Sequence, residues 1–320
     1  MKAILACILV VSLLFAVGIQ TGLAEVKSDE LKGTIAISGA WALYPMTVKW
    51  AEEFQKIYPK VKIDIAAGGA GKGVADALAG IVDIGMVSRD IYPAEVEKGA
   101  WWVSVTKDAV VPTVNESNPA LKELLVRGVK REFFLGIWIE DKIKNWGEVI
   151  GREMPHLIHV YTRSDACGAA ETWAQYLGKK QEDLLGVGVY GDPGLVEAVK
   201  KDTLGIGFNN INYVYDAKTK KPVGGIKVLP IDLNGNGQID KDENFYNDRD
   251  EVTKAIATGL YPSPPARNLH FVSQGKPKKE VVTEFIKWVL TDGQKYVPES
   301  GYINLSEEKL REELNKLKSE

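Results

Sequence analysis

From residue 33 onward the hydrophobic period of the chain switches repeatedly between two values. Ile35 and Ile37 alternate with small or polar residues, the period of a strand, and Trp50, Phe54 and Ile57 then fall on one helical face. Val61, Ile63 and Ile65 read as a second strand, Val74, Leu78 and Ile81 as a second helix, and Val82 to Val87 as a third strand. Further strands are predicted near 109–114, 157–162, 204–208 and 269–273. Helices are predicted near 169–177 and 195–200 and on the face made by Val282, Phe285, Ile286 and Val289. Such alternation predicts an α/β fold with largely parallel sheet. The late run Tyr261-Pro262-Ser263-Pro264-Pro265 is the strongest punctuation and reads as a return into the first domain. The predicted organisation is two lobes, residues 33–108 with 265–320 and residues 109–264, with a ligand cleft between them. The charged stretch 307–320 is expected to be a solvated final helix.

Residues 1–24 stand outside this pattern. Met1-Lys2, an apolar run from Ala3 to Ile19 and then Thr21-Gly22-Leu23-Ala24 read as a secretory signal peptide. The alternative is an uncleaved anchor, although the run falls short of the roughly 20 apolar residues that span a bilayer. Cys7 lies near the start of the apolar run and not after it, which does not fit a lipoprotein. Cleavage would leave Cys167 alone, without an intramolecular disulfide, and losing Lys2 takes the formal charge from −3 to −4. A mildly acidic, mixed surface argues against a nucleic-acid partner. The mature chain is expected to be an exported monomer.

Three predicted strand-to-helix junctions are rich in small residues: Ser38-Gly39-Ala40, Gly68-Gly69-Ala70-Gly71-Lys72-Gly73 and Cys167-Gly168-Ala169-Ala170. Small side chains let backbone N–H groups face a ligand, and the helix behind each adds partial positive charge, so the candidate chemistry is oxyanion capture. Tight helix–sheet packing would explain any one junction equally well. Arg163, directly after a strand, and Arg89 are the candidate fixed charges, since a guanidinium pairs with oxyanions and keeps its proton.

On these residues the chain resembles the PstS-like phosphate-binding proteins. The resemblance runs through Ser38-Gly39-Ala40-Trp41-Ala42-Leu43-Tyr44-Pro45, Gly69-Ala70-Gly71-Lys72-Gly73, Asp83-Ile84-Gly85, Ser88-Arg89-Asp90 and Asn145-Trp146. It continues in Arg163-Ser164-Asp165-Ala166-Cys167-Gly168-Ala169, Gly205-Ile206-Gly207, Tyr261-Pro262 and Gly301-Tyr302-Ile303. It implies a two-lobed type II periplasmic-binding-protein-like fold that captures a small oxyanion, phosphate first, and hands it to the membrane permease subunits of an ABC importer. It further implies an anion site at Ala40, Trp41, Ala42, Gly69, Ala70, Ser88, Arg89, Arg163, Cys167, Gly168 and Ala169. The chain departs from the family pattern where hydroxyls are expected: Ala40-Trp41 replaces a Ser-Thr pair, Ala70 a serine, and Cys167 and Ala169 a serine and a threonine. A different anion, or a sensing rather than transport role, therefore stays open.

Residues 232–243 match a full EF-hand loop, with oxygen ligands at Asp232, Asn234, Asn236, Asp240 and Glu243, the Gln238 carbonyl, and Gly237 at the turn. A strand signal precedes the loop, so the expectation is one structural calcium ion (Ca2+) and no paired sensor. No enzyme is expected. The rival readings are His156 and His159 as a metal pair, for which no carboxylate partner is evident, and Cys167 as a thiol nucleophile with His159 as base.

Overall fold

The computed structural model describes residues 31–318; the expected signal peptide lies outside them. Eleven strands are formed: Gly33–Gly39 (β1), Val61–Ala67 (β2), Ile84–Val87 (β3), Ala100–Asn115 (β4), Val129–Lys130 (β5), His159–Arg163 (β6), Val187–Val189 (β7), Gly205–Asn210 (β8), Ile226–Val228 (β9), Ile231–Asp232 (β10) and Ala266–Gln274 (β11). Nine of them make one continuous sheet in the order β2-β1-β3-β11-β4-β8-β6-β7, with β9 on β4; β10 and β5 pair separately. The β2-β1-β3 and β8-β6-β7 flanks are parallel, and the two long strands in the middle are antiparallel to their neighbours.

Two hydrophobic cores form on this sheet. One draws its buried residues from 31–105 and 269–302, around Trp50, Phe54, Phe271 and Phe285. The other draws on 109–266 and Ile303, around Phe134, Trp138, Trp173 and Phe208. Strand β4 belongs to both: Ala100–Ala109 pairs with β11 and Val110–Val114 with β8. It is longer than the strand expected at 109–114: the apolar run Ala100-Trp101-Trp102-Val103 and the alternation Val103-Ser104-Val105-Thr106 extend it backwards. The return crossing is made at Ala266, just after the prolines, where Val110 N–H donates to the Pro265 carbonyl.

The C-terminal helix Glu307–Lys318 is docked, not free in solvent as its charge suggested. Leu310, Leu314 and Leu317 pack on the first core, Lys316 lies over the Trp102 ring, and Glu313 is buried between Lys309 and Lys316. Every third or fourth position is leucine, and the intervening charges hide that stripe in a simple composition count. Ile81, expected on the second helix, lies beyond its end at Leu78 and is exposed.

Candidate functional site

All three small-residue junctions lie at the C-terminal edge of parallel strands and meet where the lobes face each other. Strand β1 ends in Gly39, whose φ of +132° already favours glycine; a Cβ there would sit 2.3 Å from the Met86 carbonyl oxygen and 2.7 Å from the Gly73 Cα. The backbone can therefore cross directly beneath the helix Ala70–Leu78, and the Gly39 carbonyl accepts from the N–H groups of Gly68 and Gly69. Beyond Gly39, Ala40 N–H donates to Met86, and Trp41–Leu43 forms a 3-10 turn that leads into the helix Tyr44–Ile57, with a proline in its first turn. On the other lobe, Cys167 caps the helix Gly168–Tyr176, its Sγ accepting from Ala170 N–H at 3.4 Å. The first-turn N–H groups of Ala70, Gly168 and Ala169 have no acceptor inside their own helices and are the donors an anion would use.

The lobes touch at these points. Gly71 N–H donates to the Ala166 carbonyl at 3.0 Å. A Cβ on Gly168 would stand 2.2 Å from the Ser88 carbonyl oxygen, and one on Gly69 2.8 Å from that of Ala166. Tyr213 Oη donates to the Trp41 carbonyl, and the Trp41 ring meets Tyr190 edge-on. Ala40, Ala70, Ser88, Cys167 and Ala169 are buried here.

Arg163 is buried at the cleft and is already committed to carboxylates. Its Nε and one terminal nitrogen donate to the two oxygens of Asp165 at 2.8 and 2.7 Å, and the other terminal nitrogen donates to Asp192 at 2.7 Å. Sequence reasoning treated it as a free positive charge; the structure corrects this to one cation between two anions, with N–H positions left on its terminal nitrogens for a ligand. Burial works against that charge, but the flanking carboxylates prevail and hold the guanidinium's pKa above its ordinary value. Arg89 is placed differently. It donates to both oxygens of Glu95, stacks over Tyr92 at 3.9 Å, and touches only the backbone carbonyl of Asp90. It lines a cavity of about 330 Å³ with Lys107, Thr172, Gln175 and Arg267.

Four buried charged groups were not singled out from sequence. Asp165 and Asp192 balance Arg163, and Asp192 also accepts from Asn209 and Asn210 side-chain amides. Arg267 donates to Asp108 at 3.0 Å and to the Gly168 carbonyl at 2.8 Å, tying the crossing strands to the third junction. Burial pushes the Asp108 carboxyl up to about 6, with Arg267 opposing only in part. An Arg-x-Asp spacing on one strand end was the available signal for Asp165; nothing local marks Asp192, Arg267 or Asp108, whose role comes from tertiary placement.

The thiol reading loses its support. Burial pushes Cys167 up to about 11, away from thiolate, and its Sγ is engaged as a cap. His159 is paired with Asp202 at 2.7 Å. In the loop 232–243, buried Asp232 accepts from Gly235 and Gly237 N–H, buried Glu243 from Leu233, Asn234 and Asp240 N–H, and the Asn234 and Asn236 amides converge on Asp240. Among the described residues no group of three or more His, Cys, Asp or Glu side chains is gathered to hold a metal; apart from the carboxylates of Asp232, Asp240, Asp242 and Glu243, the loop's oxygens are amide and carbonyl.

The PBP superfamily domain matches residues 24–293. Among curated relatives, the phosphate-binding protein PstS of Methanocaldococcus jannaschii is 28% identical, covering 97% of this chain and 92% of that one. Protein SphX of Synechococcus elongatus is 27% identical over 87% of this chain and 80% of its own. Among solved structures, a Clostridium perfringens substrate-binding protein with bound phosphate superposes with a TM-score of 0.70 at 23% identity, covering 86% of this chain and all of that one. An ABC-type phosphate transport receptor from Vibrio cholerae gives 0.60 at 20% identity over 85% of this chain and all of its own. With two cores on a sheet crossed by two strands, and three strand-to-helix junctions converging between them, the chain belongs to the PBP superfamily.

Proposed function

We propose that this protein is the exported solute-binding component of an ABC importer and that its cleft captures phosphate or a closely related oxyanion. The observation that carries the reading is the meeting of the junctions between the lobes, where Gly71 N–H donates to the Ala166 carbonyl and Gly168 packs against Ser88, with buried Arg163 at the end of β6 leading into the third of them. Helix N-termini from both lobes brought to one cleft beside a buried guanidinium would suit a tetrahedral anion. The names of the relatives add weight to phosphate. The donors differ in kind from hydroxyls: backbone N–H groups and the remaining N–H positions on the Arg163 terminal nitrogens would carry the recognition, since Ser38 is committed to Asp76 and Ser88 lies beside the third junction. No helix among the described residues is long and apolar enough to cross a membrane; delivery is read as docking to permease subunits, as the resemblance to the phosphate-binding relatives implies. The protein is read as a monomer that performs no catalysis and binds no nucleic acid. A calcium ion in the loop 232–243, held by Asp232, Asn234, Asn236, Gln238, Asp240 and Glu243, would act as a staple on the second lobe.

Calorimetric titration of the purified protein with phosphate, sulfate, molybdate and tungstate tests the assignment. Saturable one-to-one binding of phosphate, tighter than that of the others, is the expected result. Binding of another member alone would move the assignment to that anion, and silence from all four would remove the oxyanion reading.

A further inference from the structure

Trp41 sits at a junction where the chain has an indole in place of a small hydroxyl side chain. Three residues of the second lobe enclose it. Tyr190 meets its ring edge-on at 6.1 Å and 86°. Tyr213 Oη donates to its carbonyl at 2.9 Å. Gly191, held at φ +72°, leaves the ring space that a Cβ would reduce to 3.1 Å. The indole N–H itself is shut off from solvent and meets no acceptor. Trp173 and Trp288 share that property, but each lies inside the packing of one lobe; Trp41 lies between the two. Trp50, Trp138 and Trp146 all donate to backbone carbonyls, the usual fate of a buried indole N–H.

A buried donor without an acceptor opposes the packing that buries it, whereas the same donor facing an anionic oxygen makes one of the stronger neutral-to-charged hydrogen bonds. We infer that the Trp41 indole N–H is a donor to the captured oxyanion, and that it couples closure to capture: bringing the lobes together strands this N–H unless an anion oxygen meets it. The inference rests on the proposed oxyanion reading and adds to it a recognition element that a hydroxyl-based site lacks. It also favours anions whose oxygens reach beyond the helix N-termini toward Tyr190 and Gly191.

Trp41→Phe is the informative variant, since it keeps the aromatic edge against Tyr190 and deletes only the donor. For the anion that binds the parent, affinity measured by calorimetry is expected to fall about ten- to a hundredfold. The melting temperature of the ligand-free variant should stay level or rise, because an unmet donor has gone. A structural role would lower that temperature instead, and such a drop would overturn the inference, as would unchanged affinity. In the parent protein, labelled at the indole nitrogens of its eight tryptophans, one N–H resonance should move downfield on addition of phosphate, and that resonance should be missing from the variant. No shift in any indole resonance despite calorimetric binding would also overturn it. If only molybdate or sulfate binds the parent and Trp41→Phe weakens it, the phosphate assignment fails while the role of Trp41 stands; if no oxyanion binds, both fall.

Discussion

Arg163 makes ion pairs with both Asp165 and Asp192, and this changes what its removal would do. With the arginine free, Arg163→Ala would simply abolish binding in a folded protein; with it buried between two carboxylates, the variant strands both. Loss of one partner from a buried ionic group costs about 3–5 kcal/mol, so the melting temperature should drop sharply, and adding Asp192→Asn should restore part of it. A variant as stable as the parent would mean that the pairs are not formed in solution. His270 gives the pH counterpart. Burial pushes it down to about 4, with Lys316, Lys309 and Arg89 acting the same way and Glu313 against, while Ser104 holds its Nδ1. The unfolded chain takes up this proton near the ordinary value of 6.5 and the folded one only near 4, so stability is lost as pH falls through that window. Asp108, raised to about 6, works in the opposite sense: the folded state binds its proton first. His270→Gln should therefore lose less melting temperature than the parent between pH 6.5 and 4.5. An identical loss would show that His270 is protonated in the fold.

The helix Gly168–Tyr176 and the loop 232–243 are the two elements whose tests separate binding from stability. Gly168 lies in helical backbone that alanine tolerates, yet its Cβ would meet the Ser88 carbonyl oxygen at 2.2 Å. Gly168→Ala should leave the second lobe folded while holding the first away, weakening the anion at least tenfold with a melting temperature within a few degrees of the parent. Undiminished affinity would mean that the lobes do not approach this closely when they capture. The loop is attached to its lobe through the β10–β5 pair and the Ile239 N–H bond to Val126. At a hundredfold excess of free calcium over the dissociation constant, occupancy adds about 2.7 kcal/mol. Chelation should lower the melting temperature, Glu243→Gln should remove most of that effect, and anion affinity should hold constant. A melting temperature indifferent to calcium would end the metal proposal.

At the scale of the molecule, the strands and most helices were legible because their periods are local properties of the sequence: Ile35 and Ile37 alternate, Val282, Phe285, Ile286 and Val289 share a face, and the junction glycines follow strand ends. Less was legible where the cause is distant. The first half of β4 pairs with β11, some 160 positions later in the chain. The charge balance at the cleft depends on Asp192, 29 positions beyond Arg163, with no motif to announce it. Cys167 could be read as a small residue tolerated in an anion loop, but its capping bond to Ala170 requires the helix to exist first. The crossing of the strands also has a consequence in time. All but one of the second core's buried residues lie between Ala109 and Ala266, Ile303 being the exception, and that span is closed by the bond from Val110 to Pro265, whereas the first core needs Leu269 to Tyr302. A chain delivered from its N-terminus presents nearly all of the inner lobe's core while the outer one still lacks its last strand and helices. The lobe that is second in sequence is thus the first able to fold, and the opening third of the chain must wait unfinished, in reach of proteases and chaperones, until nearly the last residue has emerged.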